Sequence, residues 1–156
     1  MVTKLILIGK TTDPHIQALI DDYVSRLTHY NPLRLVIIPE LKNAKSLSQD
    51  QQKRLEGEQI LRQLQPSGHL VLLDERGAEL SSTELAQWVG RHQLASTPAI
   101  NFVIGGPYGF SPEVYARANE CLALSRLTFS HQMVRLIFVE QLYRAHTILR
   151  GEKYHH

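Results

Sequence analysis

Phe102-Val103-Ile104-Gly105-Gly106-Pro107-Tyr108-Gly109-Phe110-Ser111-Pro112-Glu113 is the stretch on which the fold turns. It ends an apolar β-run that opens at Ala99, breaks into three glycines and two prolines, and restarts as a helix. Ser111 is placed as the helix cap, with Pro112 at the first position and Glu113 in the first turn. Glycines at the carboxyl end of a strand let backbone approach a ligand closely, because no Cβ intervenes. In open α/β sheets that end is where ligands sit. A tight strand-to-helix turn without a ligand accounts for the same glycines. A second strand-end loop downstream favours the ligand.

Working outward toward the amino terminus, Ser81-Ser82-Thr83-Glu84 is a capping box for a helix from Glu84 to His92, with Leu85, Trp88 and Val89 on one face. Before it, Leu70 to Leu73 is a strand running into Asp74-Glu75-Arg76-Gly77. A helix from Gln49 to Leu64 carries Lys53, Arg54, Glu56, Glu58 and Arg62, read as a solvated face. Leu33 to Pro39 and Val2 to Ile8 are further strands. Between them lies a helix capped by Asp13-Pro14, with Ile16, Leu19, Ile20, Tyr23, Val24 and Leu27 at helical spacing. Toward the carboxyl terminus, a helix from Pro112 to Glu120 leads into a short strand, Cys121 to Leu124. The loop Ser125 to Ser130 and a long helix from His131 to about Arg150 follow. Strand and helix alternate five times, which argues an α/β fold: a mostly parallel sheet covered by helices on both faces.

The 156 residues suit one domain, 1–156, with a sizeable core. A net charge of +2 gives no blanket attraction to nucleic acid, so any RNA contact rests on local arginines. The single Cys121 forms no internal disulfide, reads as a small buried hydrophobe, and suits a cytoplasmic protein. The apolar run at the amino terminus is too short for a membrane span, so no membrane partner is expected.

Three glycine-loop chemistries separate on their requirements. A P-loop needs Gly-Lys-Ser/Thr, whereas Gly109 is followed by Phe110-Ser111. A dinucleotide fold places its glycines after the first strand, where only Gly9 stands before Lys10-Thr11-Thr12. Two adjacent, largely uncharged loops after the fourth and fifth strands suit adenine and ribose without phosphates. In the last helix, Met133, Val134, Leu136, Ile137, Phe138, Val139, Leu142 and Tyr143 leave almost no polar side. A helix apolar all round is buried on all sides, so one side is expected to meet a second subunit. Arg135, Glu140 and Arg144 interrupt it; Glu140 and Arg144 form an i,i+4 ion pair, orient a site, or both.

Leu72-Leu73-Asp74, Ile104 to Phe110, Leu124 to Phe129 with His131, and Leu142-Tyr143-Arg144-Ala145 followed by Tyr154-His155 occur in that order. Together they resemble the small SPOUT methyltransferases that N3-methylate a pseudouridine in large-subunit (23S) ribosomal RNA, over the whole length of the chain. The resemblance implies a C-terminal trefoil knot, S-adenosyl-L-methionine as cofactor, a homodimer, and ribosomal RNA on the large subunit or assembled ribosome as substrate. It implies that Leu73, Gly105, Gly106, Leu124, Ser125, Arg126, Leu127, Thr128 and Phe129 line the cofactor pocket. Taken alone, Leu73 and Leu124 are ordinary strand residues that fill a core, and Trp88 is core or interface.

Methyl transfer to a uracil-type nitrogen needs the acceptor held in line and its N3 proton removed. Glu140, His131 and His155 are the candidate bases or orienting groups. Arg144 and Arg135 are candidates to stabilise negative charge or bind phosphate, and Tyr154 to stack on the base. The tail Gly151 to His156 reads as a frayed end on composition, whereas the resemblance lays it across an active site shared between two subunits. No metal site is expected, because the histidines lack a ligand spacing. A non-catalytic RNA-binding or ribosome-assembly factor, and a metabolite-binding α/β module, are the alternative functions. They differ from the methyltransferase in predicting no affinity for S-adenosylmethionine and no ribosome association, respectively.

Overall fold

The computed structural model describes residues 1–156. Five strands form one sheet: β1 (Val2–Ile8), β2 (Leu33–Ile38), β3 (His69–Glu79), β4 (Ala99–Ile104) and β5 (Glu120–Ala123). Every pairing is parallel, in the order β2-β1-β4-β3-β5. The helices are α1 (Pro14–Leu27), α2 (Gln49–Arg62), α3 (Ser82–Leu94), α4 (Pro112–Arg117) and α5 (His131–Leu149), with a 3-10 turn at Ala44–Ser46.

Side chains alternate across the pleat, so each strand feeds two cores. Leu5 and Leu7 of β1, with Ile100 and Phe102 of β4, pack with α1, α3 and α5 on one face. Ile6 and Ile8, with Leu70, Leu72 and Val103, pack with Ile60 of α2 and Val114 of α4 on the other. β4 is the middle strand and all six of its residues are buried. That is why its sequence is a continuous apolar run broken only by Asn101. The crossovers through α1 and α3 step toward the β2 edge on one face, and those through α2 and α4 step toward the β5 edge on the other. One connection hand serves throughout.

Several boundaries differ from the sequence reading. α4 ends at Arg117, and β5 is Glu120–Ala123. Asn119 supplies the break: its side chain accepts from the Leu70 amide (2.8 Å) and its amide donates to the Leu70 carbonyl (2.9 Å), pinning the chain to β3. α3 runs from Ser82 to Leu94 on its Ser81–Glu84 capping box. β3 continues to Glu79 instead of ending at Leu73.

Candidate functional site

The continuation of β3 builds the site. Leu73 and Ala78 both pair with Leu122, so Asp74 to Gly77 leave the ladder and rejoin it. A Cβ on Gly77 would lie 2.5 Å from the carbonyl carbon of Cys121, so only glycine lets β3 close back on β5 there. The excursion presents Asp74, Glu75 and Arg76 to the carboxyl ends of the strands. Tyr115 donates to Asp74, and Arg76 Nη2 donates to the Tyr115 hydroxyl at 2.8 Å. Burial, then the bond to Asp74, raises the Tyr115 phenol above its usual range.

Opposite stand Gly105 and Gly106. A Cβ on Gly105 would meet the Phe110 ring at 2.9 Å, and one on Gly106 the Glu56 carboxylate at 2.5 Å. The loop therefore lies flat on the protein beneath it. Gly109, at φ +82°, takes the left-handed turn that returns the chain to α4. Between these walls, the loop after β5 and the start of α5 lies a cleft of about 510 Å³.

Of the expected cofactor residues, Leu73, Gly105, Gly106, Leu124, Ser125, Leu127, Thr128 and Phe129 line the cleft, and His131 joins them. Arg126 does not: its side chain extends into solvent, 3.9 Å from Glu79. Asp74, Arg76 and Tyr115 also line the cleft. Asp74 had a visible signal in its position directly after an apolar strand, whereas nothing local marks Tyr115, whose role comes from the fold.

The other expected catalytic residues form a separate cluster further down α5. Glu140 Oε1 accepts from Arg144 Nη2 at 2.6 Å and from the Tyr154 hydroxyl at 2.9 Å. The Arg144 guanidinium lies 4.8 Å from the Tyr154 ring centroid, and its Nη1 is 3.1 Å from His155 Nδ1. Tyr23 on α1 completes the set, 3.1 Å from the Tyr154 hydroxyl. Because Tyr154 donates to Glu140, the Tyr23 hydroxyl is the donor to Tyr154. Burial, then the bonds to Tyr23 and Glu140, keeps the Tyr154 phenol far above its ordinary value. The tail is thus folded onto α1 and α5 at Tyr154 and His155 rather than frayed.

Three expectations are corrected here. Arg135 is buried and donates to the carbonyls of Ile8 (2.8 Å) and Gly9 (2.9 Å) and to the Thr11 hydroxyl (3.0 Å), so no face of it is offered to phosphate. The end of a strand leaves carbonyls without ladder partners, and this guanidinium supplies the donors. Glu56 is buried beneath Gly106 instead of solvated, and burial raises its carboxyl above the usual range. Cys121 is half-buried, since β5 is an edge strand. Within the single chain, α5 keeps one side uncovered: Met133 is 41% exposed, and Leu136 and Ile137 are half-buried.

A parallel sheet with a glycine-walled cleft beyond the carboxyl ends of neighbouring strands is the architecture of an α/β small-molecule-binding enzyme. Residues 1–155 match the family described as "Predicted SPOUT methyltransferase". The chain belongs to the SPOUT methyltransferase family. It is 53% identical over 156 residues, 100% of this chain and 99% of the relative, to a protein of Bacteroides thetaiotaomicron named ribosomal RNA large subunit methyltransferase H. Proteins of the same name from Bacteroides fragilis and Flavobacterium johnsoniae are each 51% identical over the same shares. Among solved structures, a probable methylase family protein from Haemophilus influenzae aligns with a TM-score of 0.52 at 14% identity. The alignment covers 97% of this chain and 67% of that one, and bears on the fold alone. No helix is long and apolar enough to cross a membrane.

Proposed function

We propose that the protein is an S-adenosylmethionine-dependent ribosomal RNA methyltransferase, a cytoplasmic homodimer that N3-methylates a pseudouridine of 23S ribosomal RNA on the large subunit or assembled ribosome. The reading includes the C-terminal trefoil knot and a single domain over 1–156. The observation that carries it is the separation between cleft and cluster. Val134 is the last α5 residue in the cleft, and Glu140 and Arg144 lie six and ten residues further on, about 9 and 15 Å at the helical rise. The cluster and the cleft of one chain are too far apart to act on one methyl group. Two copies related by a two-fold axis bring the cluster of one to the cleft of the other.

The cleft fits an adenosyl cofactor. Its volume is that of a small-molecule site, and Ile104, Leu73, Leu124 and Leu127 offer apolar faces to a purine ring. Gly105 and Gly106, with no Cβ, let this wall lie flat against Phe110 and Glu56. Arg76 is the sole basic side chain in the cleft apart from His131, which suits a ligand without phosphates. When bound, the cofactor supplies an electrophilic methyl group on a sulfonium.

The side chains of this protein then bind the uracil-type base and hold its charge. Glu140 has Oε1 committed to Arg144 and Tyr154, and Oε2 accepts from Gln141 at 2.9 Å, so its carboxylate orients these neighbours. Arg144, fixed by that carboxylate, stabilises the negative charge that develops as the N3 proton leaves. The Tyr154 ring supplies a stacking face for the base. His131 is the histidine of the cleft and takes the N3 proton.

Calorimetry with S-adenosylmethionine and methyl transfer to ribosomes test the reading together. Parent protein binds the cofactor and methylates. Glu140→Ala, Arg144→Ala and Tyr154→Ala bind it equally well and turn over slowly, and His131→Gln, changed in the cleft wall itself, also turns over slowly. Absence of cofactor binding by the parent, or parental rates in all four variants, refutes the assignment.

A further inference from the structure

At the end of the sheet opposite the cleft, three ligand-type side chains from three elements converge. His69 opens β3, Glu120 opens β5, and His92 stands in the last turn of α3. His69 Nε2 is 2.5 Å from Glu120 Oε2, and His92 Nε2 is 3.9 Å from the same oxygen. One ligating atom from each residue falls within 4.8 Å of the others. The cofactor wall at Leu73 lies four residues along β3 from His69, about 13 Å at the rise of a parallel strand. This group therefore belongs to no part of the site described above.

We propose that His69, His92 and Glu120 form a binding site for one zinc-class divalent cation, with water in the fourth position. Two imidazoles and a carboxylate are a ligand set that this cation accepts in tetrahedral geometry, at about 2.0–2.2 Å per bond. Such bonds place ligand atoms roughly 3.4 Å apart. The two separations to Glu120 bracket that distance, and with all three atoms within 4.8 Å the widest pair closes by at most about 1.4 Å, within the reach of side-chain rotation.

The surroundings are those of a ligand set held in place. His92 Nδ1 is 2.9 Å from the Thr97 hydroxyl, which leaves Nε2 turned toward Glu120. Trp88 Nε1 donates to both Glu120 oxygens, at 2.9 and 3.1 Å. Outer bonds of this kind fix ring and carboxylate orientation at metal sites. Burial, then the neighbouring His69, holds His92 below the usual imidazole range. Burial pushes Glu120 up, but the bonds from His69 and Trp88 outweigh it and keep the carboxylate ionised. Each of the three residues is half-buried and so within reach of solvent. A bound cation would tie the first residues of β3 and β5 to the end of α3.

The chain carries one tryptophan, and its ring centroid is 4.3 Å from that of His92. Trp88 fluorescence therefore reports on this site. The test titrates metal-free, full-length protein with Co²⁺, followed by Trp88 quenching and by visible absorbance, and then displaces Co²⁺ with Zn²⁺. Quenching that saturates at one Co²⁺ per chain, with intense tetrahedral absorbance reversed by Zn²⁺, is expected. His69→Ala and His92→Ala should each weaken binding by roughly tenfold or more, the loss usual even for outer-shell partners. A variant with His155 and His156 both changed to Ala should titrate like the parent. Either His69→Ala or His92→Ala, if folded by circular dichroism and still titrating like the parent, overturns the proposal. So does a parent whose Trp88 emission ignores Co²⁺.

Discussion

Gly77 shows how one missing methyl group sets the shape of the site. Its Cα packs against the backbone of β5, with the carbonyl carbon, oxygen and following nitrogen at Cys121 and Leu122 all within 2.6 Å of an added Cβ. Backbone on both sides leaves no flexible side chain to yield. Gly77→Ala is therefore expected to destabilise the protein by about 2–3 kcal/mol, within the range of strained or overpacked sites, read as a lowered urea midpoint. The same change at Gly106 meets a side chain instead, the buried Glu56 carboxylate. Position rather than residue type distinguishes these glycines, and Gly77 carries no sign in the sequence of what faces it. Glu56 shows the same limit: helical spacing gives it the company of charged neighbours, and only the flat course of the glycine loop above removes it from water.

At the scale of elements, the helices and strands were legible because their signals are local. Ser81 and Ser111 cap α3 and α4 as their sequences imply, and the apolar runs of β1 and β4 are buried as runs. What stayed illegible depends on non-local pairing: the return of β3 to β5 after Gly77, and the meeting of His69, His92 and Glu120. α5 combines both kinds of information. Its charges were visible, but Arg135 turns inward to β1 while Arg144 turns to the tail. Arg135→Ala would leave the Ile8 and Gly9 carbonyls and the Thr11 hydroxyl without their donor, with a cost of about 2–4 kcal/mol expected from denaturant unfolding. Near its far end α5 buries His146, whose ring faces Tyr30 and the charge of Arg150. Burial, then Arg150, lowers this imidazole to about 4. Between that value and the usual value near 6.5, the unfolded chain holds a proton that the folded chain lacks, so stability falls as pH drops through this window. The loss approaches about 3 kcal/mol for His146 alone, and His146→Gln should flatten it in melting curves taken from pH 7 to 4.

For the whole molecule, the decisive question is whether cleft and cluster work within one chain or across two. The cleft was legible in its loops, and the cluster in Glu140, Arg144 and Tyr154. That the cleft ends on α5 at Val134 was not, because a sequence does not show which turns of a helix reach a ligand. A mixing experiment turns the separation of cleft and cluster into a measurement. One variant carries a disabled cleft, Gly105→Trp, behind an intact cluster; the other carries Glu140→Ala behind an intact cleft. Each alone should be nearly inactive. If every site combines one chain's cleft with its partner's cluster, a mixed dimer holds one site with both changes and one with neither. An equal mixture, unfolded and refolded together, should then recover about one quarter of parental methyl transfer, since half the dimers are mixed and each has one intact site of two. If cleft and cluster act within one chain, every site in every dimer carries one change and the mixture stays inactive. Recovery thus requires the crossed arrangement, and its absence in a refolded mixture that sediments as a dimer would return the chemistry to a single chain.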